Sequence, residues 1–215
     1  MNIPTPAVLD RPQVITELDS QVLAAQALGM PVHVFVDESN IAIGGRRVHA
    51  VATGYAGSVP DTFGMAVLPE WRLSYGALYR LLVPRPEALG SAKLYGSFDR
   101  AHGGPVTRLS SAAGFDSYWF PRMRGHEKRV DVSLALAVAE VVYTGPPPLV
   151  VLASGDGDYL PVVETVRKHG GTVVTVGWVG TISGRLAAAS DAVINLGPWL
   201  TDLEHRQSAP VGACC

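Results

Sequence analysis

Two aspartates, Asp156 and Asp158, follow the apolar run "LVVLA" at 149–153 and stand among glycines in "SGDGDY". The run reads as a buried strand, and Gly155 and Gly157 as a tight turn in which backbone comes close to a neighbour. Charge in such a place must be solvated, paired or bound to a cation. A third acid, Asp37, closes a second apolar run, "VHVFVD". A fourth, Asp131, opens a segment in which every residue up to Glu140 is apolar or small, and it shares a helical stripe with Leu134, Ala135 and Val138.

Each acid has a structural explanation of its own. Asp158 could cap the helix in "YLPVVETVRKHGG", Asp156 could hold the turn, "DESN" at 37–40 could be an Asx turn, and Asp131 could be a first-turn acid set against the helix dipole. Singly these explanations prevail, but jointly they do not predict convergence. Like charges crowded at one end of a sheet repel unless a divalent cation offsets them. Oxygen-only donors favour Mg²⁺ or Mn²⁺ over zinc, and the histidines at 33, 49, 102, 126, 169 and 205 show no zinc spacing. Mg²⁺ held by a few carboxylates keeps waters and takes substrate phosphate as a further ligand, so the expected chemistry is cleavage of a phosphate ester by metal-activated water.

The elements that would position these acids alternate. Residues 11 to 30 have helical spacing and a Gly29 stop; "VHVFVD" is a strand; 40 to 69, rich in glycine, reads as a long loop or lid. A helix is expected over 70–83, strands over 91–98 and 114–120, a helix over 131–143, a strand over 148–154 and a helix from about 158 to 169. A strand "TVVTVGWV", a short helix near 183–190, a small strand "AVINL" and a terminal helix from Pro198 complete the expectation. Strands apolar on both faces alternating with helices imply a parallel sheet covered on both sides, with ligands gathered outside the carboxyl ends of its strands.

At 215 residues, 47% hydrophobic and 17% charged, the chain suits one main domain with extensions. A net charge of -2 gives no global signature of nucleic-acid binding, which leaves local charge to decide. Cys214 and Cys215 are adjacent and cannot staple a fold, and no run approaches a membrane span or a secretory signal. The expected compartment is cytoplasmic, with no membrane partner.

In order along the chain, "VFVDESNIAIGG", "WRLSYGALYRLL", "YGSF", "GHEKRVDVSLAL" and "LVVLASGDGDYLPVVE" resemble the NYN domain family, including its LabA-like members, which are PIN-like nucleases. The resemblance covers about residues 31–197, leaving 1–30 as an N-terminal helical extension and 198–215 as a C-terminal helix and tail. It implies an α/β, three-layer PIN-like (Rossmann-like) domain with a mainly parallel central sheet, and metal-dependent ribonuclease activity with Mg²⁺ or Mn²⁺. Asp37, Asp131, Asp156 and Asp158 fall on the family's acidic cluster as catalytic and metal-holding residues, and Asn40 on its Asn, which would orient the cluster. The sequence departs from many LabA-like chains in carrying apolar Ala135, Ala137 and Val138 where a further acid is common. An inactive relative that binds RNA or protein through the same rim is the alternative, and the third reading is a small-molecule phosphatase or nucleotide-binding module, against which stands the lack of a phosphate-cradling glycine loop.

RNA is the expected partner, with a homodimer or a recruiting protein as further partners. Arg122, Arg124, Lys128 and Arg129, with His126, form the densest basic run, just before Asp131; Arg46 and Arg47 form a second patch. Tyr118, Trp119 and Tyr159 are placed near the rim, where they could stack bases, although Trp119 reads more readily as core.

Overall fold

Strand β1, Val32–Asp37, sends alternate side chains into two separate cores: Val32, Val34 and Val36 into one, Phe35 into the other. Period-two placement with apolar residues on both sides is what a central parallel strand requires. The computed structural model describes residues 11–65, 67–98, 103–122 and 129–205. Within them β1 is joined by β2 (Leu89–Phe98), β3 (Asp116–Pro121), β4 (Leu149–Ala153), β5 (Thr172–Gly177) and β6 (Ala192–Asn195). All pairings are parallel and the order is β3-β2-β1-β4-β5-β6. The chain leaves β1 toward β2 and returns on its other side at β4, so the switch point of the sheet lies between β1 and β4.

Helices cover both faces. The first core gathers Leu18, Val22 and Ala25 of α1 (Arg11–Ala27), Ile41 of α2 (Glu38–Ala52) and Leu78 and Leu82 of α3 (Tyr75–Leu82). It also takes in Trp71, Trp178 and Trp199, and α4 (Gly103–Ala112) packs beside α3. The second core gathers Leu134, Ala137 and Val138 of α5 (Val130–Thr144), Val163 and Val166 of α6 (Leu160–Lys168), and Leu186 of α7 (Gly184–Ala189). The architecture is α/β with a six-stranded, wholly parallel sheet and helices on both faces. No helix of the described residues is long and apolar enough to cross a membrane.

The main departure from expectation is at 40–69. No loop begins at residue 40: α2 runs from Glu38 to Ala52, and irregular backbone follows only from Thr53. Asp37 is its N-cap, and the Asp37 Oδ1 accepts from the Asn40 backbone N–H at 3.1 Å and from Ser39 Oγ at 2.9 Å. The pair Gly44 and Gly45, read as a breaker, lies inside the helix because indoles press against it. A Cβ on Gly44 would collide with the Trp178 ring, and one on Gly45 with the Trp71 ring. The two rings meet edge to face with centroids 5.6 Å apart, and Trp178 Nε1 donates to the Ile41 carbonyl at 2.8 Å, so neither has room to withdraw.

Other boundaries differ by less. α3 starts at Tyr75, capped by Ser74, and not at residue 70. The sequence reading also missed α4, whose "GGPVTRLSSA" opens on glycines and a proline. The terminal helix from Pro198 reduces to a single 3-10 turn, Gly197–Trp199. Residues 206–215, with the cysteine pair, lie outside the described residues.

Two stability outcomes follow. Gly45→Ala gains about 1 kcal/mol of helix propensity but overpacks the Trp71 contact at a cost of about 1–3 kcal/mol. Urea unfolding should find it destabilised, whereas Gly76→Ala in α3, whose Cβ would meet only Arg80 Nη1 at 3.5 Å, should be neutral or stabilised. Asp37→Asn keeps a capping oxygen and Asp37→Ala does not, so in metal-free buffer the Asn variant should be the more stable by about 1 kcal/mol. Equal unfolding midpoints would show that the cap does not hold α2.

Candidate active site

The carboxyl ends of β1 and β4 carry the site. Val36 and Ala153 are the last paired residues, and Asp37 and Ser154 follow them side by side. Asp37 is 3% exposed, which only a dense set of donors makes tolerable. Besides Ser39 and the Asn40 N–H, Ser154 Oγ and the Tyr159 hydroxyl each stand 3.4 Å from Asp37 Oδ2. The Asn40 side chain reaches across the switch point, where its Oδ1 accepts from the Gly155 N–H at 2.8 Å.

Asp156 follows in the turn after β4. It caps the 3-10 turn Gly157–Tyr159, its Oδ1 accepting from the Asp158 N–H at 3.0 Å, while its own N–H donates to Ser154 Oγ at 3.2 Å. Gly155 is required here by close approach: a Cβ would come within 2.7 Å of the Thr181 carbonyl oxygen. Asp131 arrives from the opposite face of the sheet, in the first turn of α5, and its Oδ1 accepts from the Tyr159 hydroxyl at 3.1 Å.

Asp37, Asp131 and Asp156 line one polar cavity of about 270 Å³, together with Ser39, Asn40, Ile43, Gly44, Arg47 and Thr181. Three carboxylates thus share a cavity with one guanidinium. Burial, reinforced by Asp37, Asp131 and Asp156, pushes the Tyr159 phenol far above its usual pKa, so it stays protonated and remains a donor. Burial also lowers the Arg47 pKa from the ordinary arginine value. Its guanidinium carbon lies 4.1 Å from the centre of the Phe63 ring, and its Nε is buried without a hydrogen-bond partner.

Other residues singled out in the sequence are not brought to the cavity. Asp158 is exposed and does not line it. Arg122 is exposed at the end of β3, its Nε donating to Ser97 Oγ at 2.8 Å, and exposed Arg129 precedes α5 as its N-cap residue. Arg46 is exposed on α2, while Arg124, His126 and Lys128 lie outside the described residues. Of the three aromatics, Trp119 packs edge to face on Tyr75 and donates to Ser110 Oγ, Tyr118 stacks on Tyr95, and Tyr159 is 2% exposed, too buried to stack a base. Ala135, Ala137 and Val138 do not line the cavity; Ala137 and Val138 are buried in the second core, where an acid would be costly.

One feature escaped the sequence reading, the Tyr159 hydroxyl as a donor to Asp131 beside Asp37; Arg47 stands in that reading as a substrate-binding cation, but its place among the acids does not. That place had a signal, since Asn40, Ile43, Gly44 and Arg47 have the spacing of one helical stripe, hidden once the glycines were read as a break.

The donor set consists of oxygens and suits a hard cation. Among the described residues no group of three or more His, Cys, Asp or Glu is close enough to hold one ion as placed. As placed, the acids form no closed protein cage; a hydrated ion held through one or two carboxylates, as Mg²⁺ commonly is, is the form these oxygens could take up.

Comparison with known proteins adds three findings. A solved structure of a protein of unknown function from Vibrio parahaemolyticus RIMD 2210633 superposes with a TM-score of 0.55 at 19% identity, covering 78% of this chain and 93% of that one, a likeness of fold. A curated relative, the 6-hydroxy-3-succinoylpyridine 3-monooxygenase HspA of Pseudomonas putida (strain DSM 28022 / S16), is 33% identical over 88 residues. That match takes in 41% of this chain and 27% of the relative, so the chain spans about a quarter of its length. The model of the NYN domain matches residues 31–197, and over that span, which holds both strands of the switch point and every acid of the cavity, the chain belongs to the NYN domain family of the PIN-like nuclease superfamily.

Proposed function

We propose that the protein is a metal-dependent ribonuclease that hydrolyses phosphodiester bonds at the rim between β1 and β4. The observation that carries this reading is the sharing of one cavity by Asp37, Asp131, Asp156 and Arg47. Membership of a nuclease family supports hydrolase chemistry in general, and the oxygen donors support Mg²⁺ or Mn²⁺. Asp37, Asp131 and Asp156 are the residues to hold the ion; when bound, it supplies Lewis-acid stabilisation of a phosphoryl oxygen and activation of water. Asp158, outside the cavity lining, is left to the turn.

The chain's own contribution is positioning. Asp37 is fixed by its cap bonds, Asn40 holds the β4 turn against α2, and Tyr159 lies between Asp37 and Asp131. Arg47 is the residue to meet a backbone phosphate: it brings the positive charge to a cavity lined by three acids, and the Phe63 ring restrains its guanidinium plane. Exposed Arg46, Arg122 and Arg129 are left for weaker, screened contacts with the same polyanion.

One observation favours a second reading, an inactive module that binds RNA or a protein through this rim: no three ligands close on one point among the described residues. The monooxygenase activity named for the curated relative is not carried over, because the shared segment is a quarter of that protein.

Cleavage of a labelled single-stranded RNA, run with Mn²⁺, with Mg²⁺ and with EDTA beside Asp156→Asn, separates the two readings. Metal-dependent cutting that falls by a factor of about 10² or more in the variant is expected; RNA binding without cutting under any metal would favour the inactive module. Arg47→Ala should weaken RNA binding and lower the slope of log affinity against log salt by about one. An unchanged slope in a variant that melts like the parent would remove Arg47 from the substrate path.

A further inference from the structure

Tyr159 ends the 3-10 turn after β4 and sinks its ring into the second core, beside Val163 and Leu186. A phenylalanine would fill that space. The tyrosine instead places a buried polar atom near two acids from different elements, 3.1 Å from Asp131 and 3.4 Å from Asp37. Such an oxygen is costly to bury unless hydrogen-bonded, so the hydroxyl is satisfied by the acids or not at all within this arrangement.

We propose that Tyr159 is a positioning residue for the cation: its hydroxyl, carried by a buried ring and 3.4 Å from Asp37, donates to exposed Asp131 and so sets the spacing at which two carboxylates meet a divalent ion. This rests on the metal-dependent reading given above. Asp37 is the fixed member, buried and held by its N-cap bonds. Asp131 stands on the first turn of α5, which reaches the site from the other face of the sheet. A neutral donor adds no further positive charge to a cavity that Arg47 already lines, and so preserves the excess of negative charge that attracts the cation. A phenolic O–H is such a donor: its one proton holds Asp131 beside Asp37 without adding charge.

The test is a calorimetric titration of the full chain with Mn²⁺, for the parent, Tyr159→Phe, Asp131→Asn and the double variant, with thermal melts in EDTA. Tyr159→Phe should bind Mn²⁺ about 10- to 100-fold more weakly while melting close to the parent, since second-sphere partners of metal ligands have effects of that size. Asp131→Asn should also weaken binding, and adding Tyr159→Phe to it should cost less than it does in the parent, because the hydroxyl acts through Asp131. Parent-like Mn²⁺ affinity in Tyr159→Phe overturns the proposal and leaves the metal reading standing. A collapse of the EDTA melt in that variant also overturns it, by making the hydroxyl a folding group. A parent that binds no Mn²⁺ overturns the metal reading itself, and this inference with it.

Discussion

The hydrogen bond from the Gly155 N–H to Asn40 Oδ1, at 2.8 Å, joins the two sides of the sheet's switch point. In a parallel sheet whose order reverses, the strands at the switch diverge into opposite connections and leave a crevice that nothing in the ladder closes. Here β1 runs straight into α2 and β4 into a 3-10 turn, so the crevice narrows to a pocket framed by two short segments. Asn40 fixes their distance. Asp37, one turn before Asn40, and Asp156, one residue after Gly155, inherit their positions from that bond.

The electrostatics follow from the same geometry. Asp37 is buried because β1 is central, and it is tolerable because a helix N-terminus, Ser39 and Ser154 turn donors toward it. Asp131 joins from the far face by virtue of α5, and Arg47 returns a single positive charge two helical turns after Asn40. Three acids facing one base retain an excess of negative charge in a cavity of restricted volume, a condition that favours a divalent cation more than it favours any neutral ligand. The helix that supplies Arg47 can lie this close to the sheet only because Gly44 and Gly45 leave room for Trp178 and Trp71. Core packing and cavity chemistry are therefore coupled through α2.

Much of this was legible in the sequence, for identifiable reasons. Strands apolar on both faces, such as "VHVFVD" and "LVVLA", can only be central and parallel, so the fold class and the rim followed from them. Asp37, Asp131 and Asp156 were legible only as a group, because their separate explanations as caps and turns do not predict convergence on one rim. Where the reading failed, a local rule was overridden by a distant partner. "IGGRR" breaks a helix by propensity, yet two indoles far along the chain supply the contacts that keep it helical. Tyr159 reads as an aromatic near a rim, and nothing in its neighbourhood announces that its hydroxyl meets Asp131, whose position depends on a helix from the opposite layer. Asp158 carries the same motif signal as Asp156, but the pitch of a 3-10 turn separates their side chains, a distinction that spacing alone does not contain.

The claim on which the rest depends is that this rim holds a hard cation. Anomalous diffraction from a crystal of the full chain equilibrated with Mn²⁺ tests it most directly. The account predicts a peak within the cavity, about 2.0–2.3 Å from an oxygen of Asp37, Asp131 or Asp156 and completed by water. Ordered carboxylates with no peak between them at saturating Mn²⁺, or a peak only elsewhere on the surface, would contradict it.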